Sequence, residues 1–288
     1  MRINCIKPDK HKFFNKLASI FHAPEKLYYY GQLPEIKTPI IAIVGSRKPS
    51  TYGREIAYRL SYDLTKKGAI IVSGLALGID AVAHKACLEA GGTTIAVLGS
   101  GLNHITPYTN RGLAQKIIEQ NGAIISEYAP DMPALPHQFL ERNRIVSGLA
   151  DVIIVVEAAK RSGTLSTAAH ALEQGREVGA VPGLITSPMS DGCHNLIKQG
   201  AHLITSADDI WSLLGLSVTQ NINQQPQLSI ISDPTQAKVL EIITSGINDG
   251  DQIIHKLNLT PDELNFALTM LEINGHITPL GANQWMRK

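Results

Sequence analysis

Short apolar runs recur along this chain at an even pitch. They occupy residues 40–44, 69–72, 94–98, 123–126, 152–156 and 177–181, with a weaker one at 201–204. Each is short and continuous, as expected of a strand buried on both faces. Between them, Arg54 to Lys67, Ile79 to Ala90 and Thr164 to Gly175 carry the apolar spacing of helices. Strands alternating with helices predict βαβ crossovers and a parallel sheet covered on both sides. The fold class that follows is α/β: an extended, Rossmann-like, doubly wound and mostly parallel sheet over residues 38–214. A ligand site belongs at the carboxyl ends of its strands.

The flanks read differently. Residues 1–37 are basic and locally aromatic, with Tyr28, Tyr29 and Tyr30 in a row. They suit a lead-in of a helix or two, too short to bury a core of its own. Residues 215–234 are rich in Asn, Gln, Ser and Pro with Asp233 as the sole charge, a linker composition. Residues 235–288 predict a small helical unit. Thr260-Pro261-Asp262-Glu263 is a capping threonine, a proline at the first helical position and a glutamate at the third. Leu264, Ala267, Leu268 and Leu271 then mark one helix face, Gly275 a stop, and Ile277 to Trp285 a wing. This unit is winged-helix-like, but it carries four cations against six carboxylates. It lacks the basic footprint of a duplex reader, so a protein contact suits it better.

Composition narrows the class. The 288 residues are 44% hydrophobic and 18% charged, with a net charge of +1. A core is affordable, and a nucleic-acid partner would need a local basic patch. Cys5, Cys87 and Cys193 are scattered and suggest neither a disulfide framework nor a zinc site. No run approaches the roughly 20 apolar residues of a membrane span, and the basic N-terminus lacks an apolar signal core. A cytoplasmic protein with no membrane partner is expected.

Candidate chemistry gathers at the strand ends. Gly45-Ser46-Arg47 follows the first run, Ser73-Gly74 the second and Gly99-Ser100-Gly101 the third. Lys160, Arg161, Ser162, Gly163 and Thr164 follow Glu157 after the fifth. Small turn residues with amide and hydroxyl donors beside guanidinium groups suit a phosphate-bearing ligand. A dinucleotide loop would place glycine where Arg47 stands, and no Walker A loop occurs. Neither NAD nor ATP is expected, and no cofactor or metal is called for. Arg47 with Ser50, Thr51 and Arg54 suits a cradle for one phosphate. Phe139, Arg142, Asn143 and Arg144 place a stacking aromatic beside two guanidinium groups and an amide. His84, four residues after Asp80, reads as a helix-packing histidine hydrogen-bonded to that carboxylate. Glu157 reads as an acceptor for neighbouring amides, and no catalytic set assembles. These residues leave open a nucleotide to be transformed or a nucleic-acid backbone to be held.

Taken in order, the motifs resemble those of the DNA-processing protein A family (DprA, also called Smf). They run through Ile43-Val44-Gly45-Ser46-Arg47, Ser73-Gly74-Leu75-Ala76, Gly78-Ile79-Asp80 and Ala83-His84. Phe139 with Arg142-Asn143-Arg144-Ile145, Ser162-Gly163-Thr164-Leu165, Val181-Pro182-Gly183 and Asn195-Leu196-Ile197 follow. The resemblance implies a single-stranded DNA binder without sequence preference, acting in natural transformation. It implies protection of incoming strands, loading of RecA recombinase, and a homodimer. By motif match, Arg47 would hold backbone phosphate, and Phe139, Arg142, Asn143 and Arg144 would line or support the pocket. His194, Leu196, Ile197 and Leu203 would mark the dimer surface. Family members often carry a full helical domain where this chain has residues 1–37, and usually a proline where Leu140 stands. The sheet also resembles nucleoside-monophosphate phosphoribohydrolases of the lysine-decarboxylase-like group. Those carry glutamates after the turn that here reads Arg161-Ser162-Gly163-Thr164-Leu165, followed by Ser166 and Thr167.

Overall fold

Alternation of buried side chains along each strand determines how the chain layers. The computed structural model describes residues 3–35, 37–216, 233–245, 247–274, 276–281 and 283–287. These fall into two units, residues 1–218 and 219–288. Most of the 215–234 stretch and Gly275 lie outside the described residues.

In the first unit, β1 (Asn4–Ile6) and β2 (Leu27–Gly31) precede β3 (Ile40–Val44), β4 (Ile70–Ser73) and β5 (Thr94–Val97). Then come β6 (Ala123–Ser126), β7 (Val152–Val155), β8 (Glu177–Ala180) and β9 (His202–Leu203). They form one sheet in the order β1-β2-β6-β5-β4-β3-β7-β8-β9. Every pairing from β6 to β9 is parallel. The helices are α1 (Thr51–Lys66), α2 (Ile79–Glu89), α3 (Arg111–Glu119), α4 (Pro136–Leu149), α5 (Thr164–Glu173), α6 (Asp191–Lys198) and α7 (Ala207–Leu213). Ile41 and Ile43 of β3 face the side covered by α1, α2 and α7, while Ile40, Ala42 and Val44 face the side of α4, α5 and α6. β7 alternates likewise, with Val152 and Ile154 on the first side and Ile153 and Val155 on the second. The chain winds outward from β3 through β4 to β6, then returns to β7 on the other flank of β3. The topological switch therefore lies between β3 and β7, where such sheets open a crevice.

Residues 1–37, expected to be a short lead-in of a helix or two, contribute two strands and two 3₁₀ segments. β2 pairs antiparallel with β6, and β1 with β2, so this stretch extends the sheet. Lys12–Ser19 forms a 3₁₀ segment whose Phe13, Phe14 and Leu17 are fully buried in the main core. The two phenylalanine rings meet edge to face at 5.2 Å. Lys16 pairs with Asp151, whose other oxygen accepts from the Ile40 amide at 2.9 Å. A segment too short for its own core thus completes one already present.

The second unit contains α8 (Pro234–Thr244), α9 (Gly250–Leu257) and α10 (Pro261–Ile273), then the antiparallel pair β10 (Ile277–Gly281) and β11 (Gln284–Arg287). Asp233, Asp249 and Thr260 cap the three helices, Thr260 in a reciprocal box with Glu263. Leu264, Ala267, Leu268 and Leu271 are buried with Val239, Ile253 and Ile277. This is a winged helix.

Phe14→Ala tests the role of the N-terminal segment. Truncating a fully buried phenylalanine should cost about 3–5 kcal/mol in denaturant unfolding of the whole chain. A cost below about 1 kcal/mol would mean that the segment is only appended.

Candidate nucleic-acid interface

The turn after β3 is shaped from beneath. A β-carbon on Gly45 would lie 2.6 Å from Ile79 and 3.1 Å from the Glu157 carbonyl, so α2 and the end of β7 leave room for glycine alone. The Ser46 amide donates to that carbonyl at 2.8 Å, and its own carbonyl accepts from Ile79 at 3.1 Å. Ser46 Oγ accepts from the Lys48 amide at 3.0 Å, which curls the turn. Arg47 and Lys48 are left exposed at its crest.

Ser50 belongs to the scaffold. It caps α1 by accepting from Gly53 at 3.1 Å, and its Oγ and amide donate to the buried Glu157 carboxylate at 2.5 and 2.9 Å. Thr51 and Arg54 sit exposed on the first turn of α1, away from the crevice lining. Of the four residues expected to cradle a phosphate, Arg47 alone lines the crevice.

α4 forms the opposite wall. Phe139, Arg142, Asn143 and Val146 recur at helical spacing and face the crevice. Arg144 lies on the other face, where it pairs with Glu127 instead of entering the crevice. Arg142 is only 4% exposed. Its guanidinium donates to the Gly74 carbonyl at 2.6 Å and to that of Val97, and Nε donates to Asn143 Oδ1 at 3.2 Å. A β-carbon on Gly74 would lie 2.4 Å from that guanidinium. Asp80 accepts from the amides of Gly74 at 3.0 Å and Ala76 at 3.4 Å. Burial lowers the Arg142 pKa to about 10, with Asp80 opposing and Arg47 adding to the lowering. Burial raises that of Asp80, with Arg142 opposing. Arg142 remains a cation at neutral pH.

The His84–Asp80 bond expected from sequence is absent. His84 Nδ1 lies 2.7 Å from Thr94 Oγ1, whose hydroxyl donates to the Ile71 carbonyl at 2.9 Å. The histidine must therefore be the donor, and its buried Nε2 has no hydrogen-bond partner. Asp80 turns instead to the amides after β4.

The walls enclose a crevice of about 630 Å³ at the switch point. The Arg47 guanidinium carbon stands 5.3 Å from the centre of the Phe139 ring. Thr164, opening α5, donates to the Gly45 carbonyl at 3.0 Å and so ties β3 to α5. Asn143 Nδ2 donates to Ser166 Oγ at 2.8 Å and lies 3.4 Å from the Gly163 carbonyl, joining α4 to α5. Gly45, Ser46, Arg47, Phe139, Arg142, Asn143, Ser162, Gly163 and Thr164 all line the crevice, while Lys160 and Arg161 stay exposed outside it. Sequence reasoning did not place Lys48, Ala76, Asp80 or Met189 there. The position of Lys48 beside Arg47 was a usable signal; Met189, from the loop before α6, had none. Among the described residues, no group of three or more His, Cys, Asp or Glu side chains could hold a metal ion. No helix among them is long and apolar enough to cross a membrane.

The residues read as a dimer surface separate. Leu196 is buried in the core because α6 turns it toward the sheet, and Ile197 packs partly against the same core. His194 Nε2 lies 3.0 Å from the Gly183 carbonyl. Leu203 is 52% exposed on the edge strand.

A doubly wound sheet with a cationic, aromatic-walled crevice at its switch point, followed by a winged helix, defines a narrow class of protein. This chain belongs to the DNA recombination-mediator protein A family, whose model matches residues 4–215. The DprA winged helix domain matches residues 223–283. Protein Smf of Escherichia coli is 43% identical over 248 residues, covering 86% of this chain and 66% of that protein. DprA of Streptococcus pneumoniae is 45% identical over 194 residues, covering 67% and 68%. The chain thus spans about two thirds of the length of these relatives. The solved S. pneumoniae DprA superposes with a TM-score of 0.68 at 40% identity, covering 74% of each chain. DNA processing protein A of Helicobacter pylori, solved to describe its single-stranded DNA binding mode, gives 0.66 at 33% identity, covering 74% of this chain and 96% of that one.

Burial of His84 between α2 and the sheet sets a pH response. His84 is driven down to about 3 by burial, with Arg142 adding to the effect. The unfolded chain takes up this proton near the ordinary value of 6.5. The stability that His84 contributes is therefore complete above 6.5 and is lost as the pH falls toward 3. Unfolding followed from about pH 7 to about pH 5 should show a shallower decline for His84→Gln than for the wild type, by up to about 1.4 kcal/mol per pH unit. Parallel declines would exclude His84 as the source.

Proposed function

We propose that the crevice binds single-stranded DNA without sequence preference and that the chain serves as a recombination mediator, not an enzyme. The observation that carries this reading is Arg47 poised over Phe139 at 5.3 Å in an open crevice. A guanidinium suits a backbone phosphate, and an aromatic ring suits any base. Asn143, the amide able to read a base edge, is already engaged with Ser166 and Gly163. Charge and stacking remain, and neither distinguishes one base from another.

Membership of the family supports a wider role. In natural transformation the chain would protect incoming single strands and load RecA onto them, as a cytoplasmic homodimer. The winged helix, with four cations against six carboxylates, is assigned to a protein contact.

Titration of a labelled oligothymidylate at several salt concentrations tests the reading. Affinity should fall with salt at a log–log slope of about −0.7 per phosphate held. Arg47→Ala should weaken binding alike on every sequence, and Phe139→Ala should cost about 1–3 kcal/mol. Absent or salt-insensitive binding would refute the proposal. Release of free base from nucleoside monophosphates would instead favour the phosphoribohydrolase reading.

A further inference from the structure

A second groove opens between α2 and α3, about 530 Å³ in volume. Lys85, Leu88, Asn110, Gly112, Leu113 and Lys116 line it. Glu89 also lines it, but its carboxylate accepts from the Tyr58 hydroxyl at 2.8 Å. Lys85, Arg111 and Lys116 are exposed, and among the described residues none of them has an ion-pair partner. Next in sequence to the groove-lining Thr109 and Asn110, Tyr108 is 74% exposed, with the Arg111 guanidinium carbon 4.4 Å from its ring centre. Nothing lies within 4 Å of where a β-carbon on Gly112 would sit, so packing does not demand glycine there. The bare backbone leaves that wall low.

The groove is joined to the crevice through one side chain. Asn110 Nδ2 donates to the carbonyls of Leu75 at 2.9 Å and Ala76 at 3.2 Å. Ala76 lines the crevice and Asn110 lines the groove, so this hydrogen bond links the two linings. Both carry the same chemistry: cations without ion-pair partners among the described residues, close to an aromatic ring.

We infer that the strand path continues from the crevice over the Ala76 turn into this groove. Lys85, Arg111 and Lys116 hold further phosphates of the same single strand, and Tyr108 stacks on a base. This inference rests on the single-stranded DNA reading of the crevice. It makes the footprint longer than the crevice alone and adds cations to the salt dependence.

Anisotropy titrations with oligothymidylates of about six and about twenty nucleotides test it. For the wild type, the longer strand should give a salt slope steeper by about 2, from three added phosphates at about 0.7 each. The paired substitution Lys85→Ala and Lys116→Ala, and separately Tyr108→Ala, should bring the long strand toward the behaviour of the short one. The paired variant should lose most of the extra slope; Tyr108→Ala should weaken long-strand binding by about fivefold or more. A long-strand slope and affinity unmoved by both variants would overturn the inference, as would equal wild-type slopes for the two strands. Failure of the crevice reading looks different: Arg47→Ala would then leave binding of the short strand unchanged.

Discussion

A guanidinium buried beneath the rim holds the strand ends in place. Arg142 reaches from α4 to the carbonyls at Gly74, just after β4, and Val97, at the end of β5. Asp80 of α2 returns to the amides of Gly74 and Ala76. Two buried opposite charges thus meet at Gly74, one on its carbonyl and one on its amide. Gly45 then rests against Ile79 on the same α2, which fixes the turn that carries Arg47. Removing Arg142 would leave the buried Gly74 and Val97 carbonyls without those donors, at about 1–3 kcal/mol each. The position of Arg47 is therefore only as firm as the Arg142 network beneath it.

That network also explains how a nearly neutral chain can present a cationic site. Asp80 offsets Arg142 at the floor, leaving Arg47 and Lys48 to set the sign of the open crevice. Their charges sit where β3 and β7 part, the place in a doubly wound sheet least obstructed by crossover helices. Glu157 completes the frame: it ties Ser50 and the start of α1 to the end of β7. A carboxylate that could have served as a base is committed to holding the turn.

Much of this was legible in the sequence because parallel strands buried on both faces are written as unbroken apolar runs. Ile40 to Val44 and Ala123 to Ser126 stand where those runs lie. Thr260 and Glu263 likewise form the reciprocal cap that their spacing announces. The N-terminal segment was less legible: Lys12–Ser19 follows a 3₁₀ rather than an α-helical period, and its rings are buried against residues far along the chain. Within the crevice, adjacency misled. Arg142 and Arg144 look equivalent on paper, yet the helix turns one under the floor and the other to Glu127. Ser50 resembled a phosphate ligand because its bond to Glu157 spans 107 positions, beyond any local pattern.

The proposed function has one DNA strand held between Arg47 and Phe139. A crystal structure of the chain with a short oligothymidylate tests it most directly. A phosphate oxygen should lie within hydrogen-bonding reach of the Arg47 guanidinium, with a thymine ring stacked on Phe139. A strand bound elsewhere, or one that enters the crevice without touching either side chain, would contradict it.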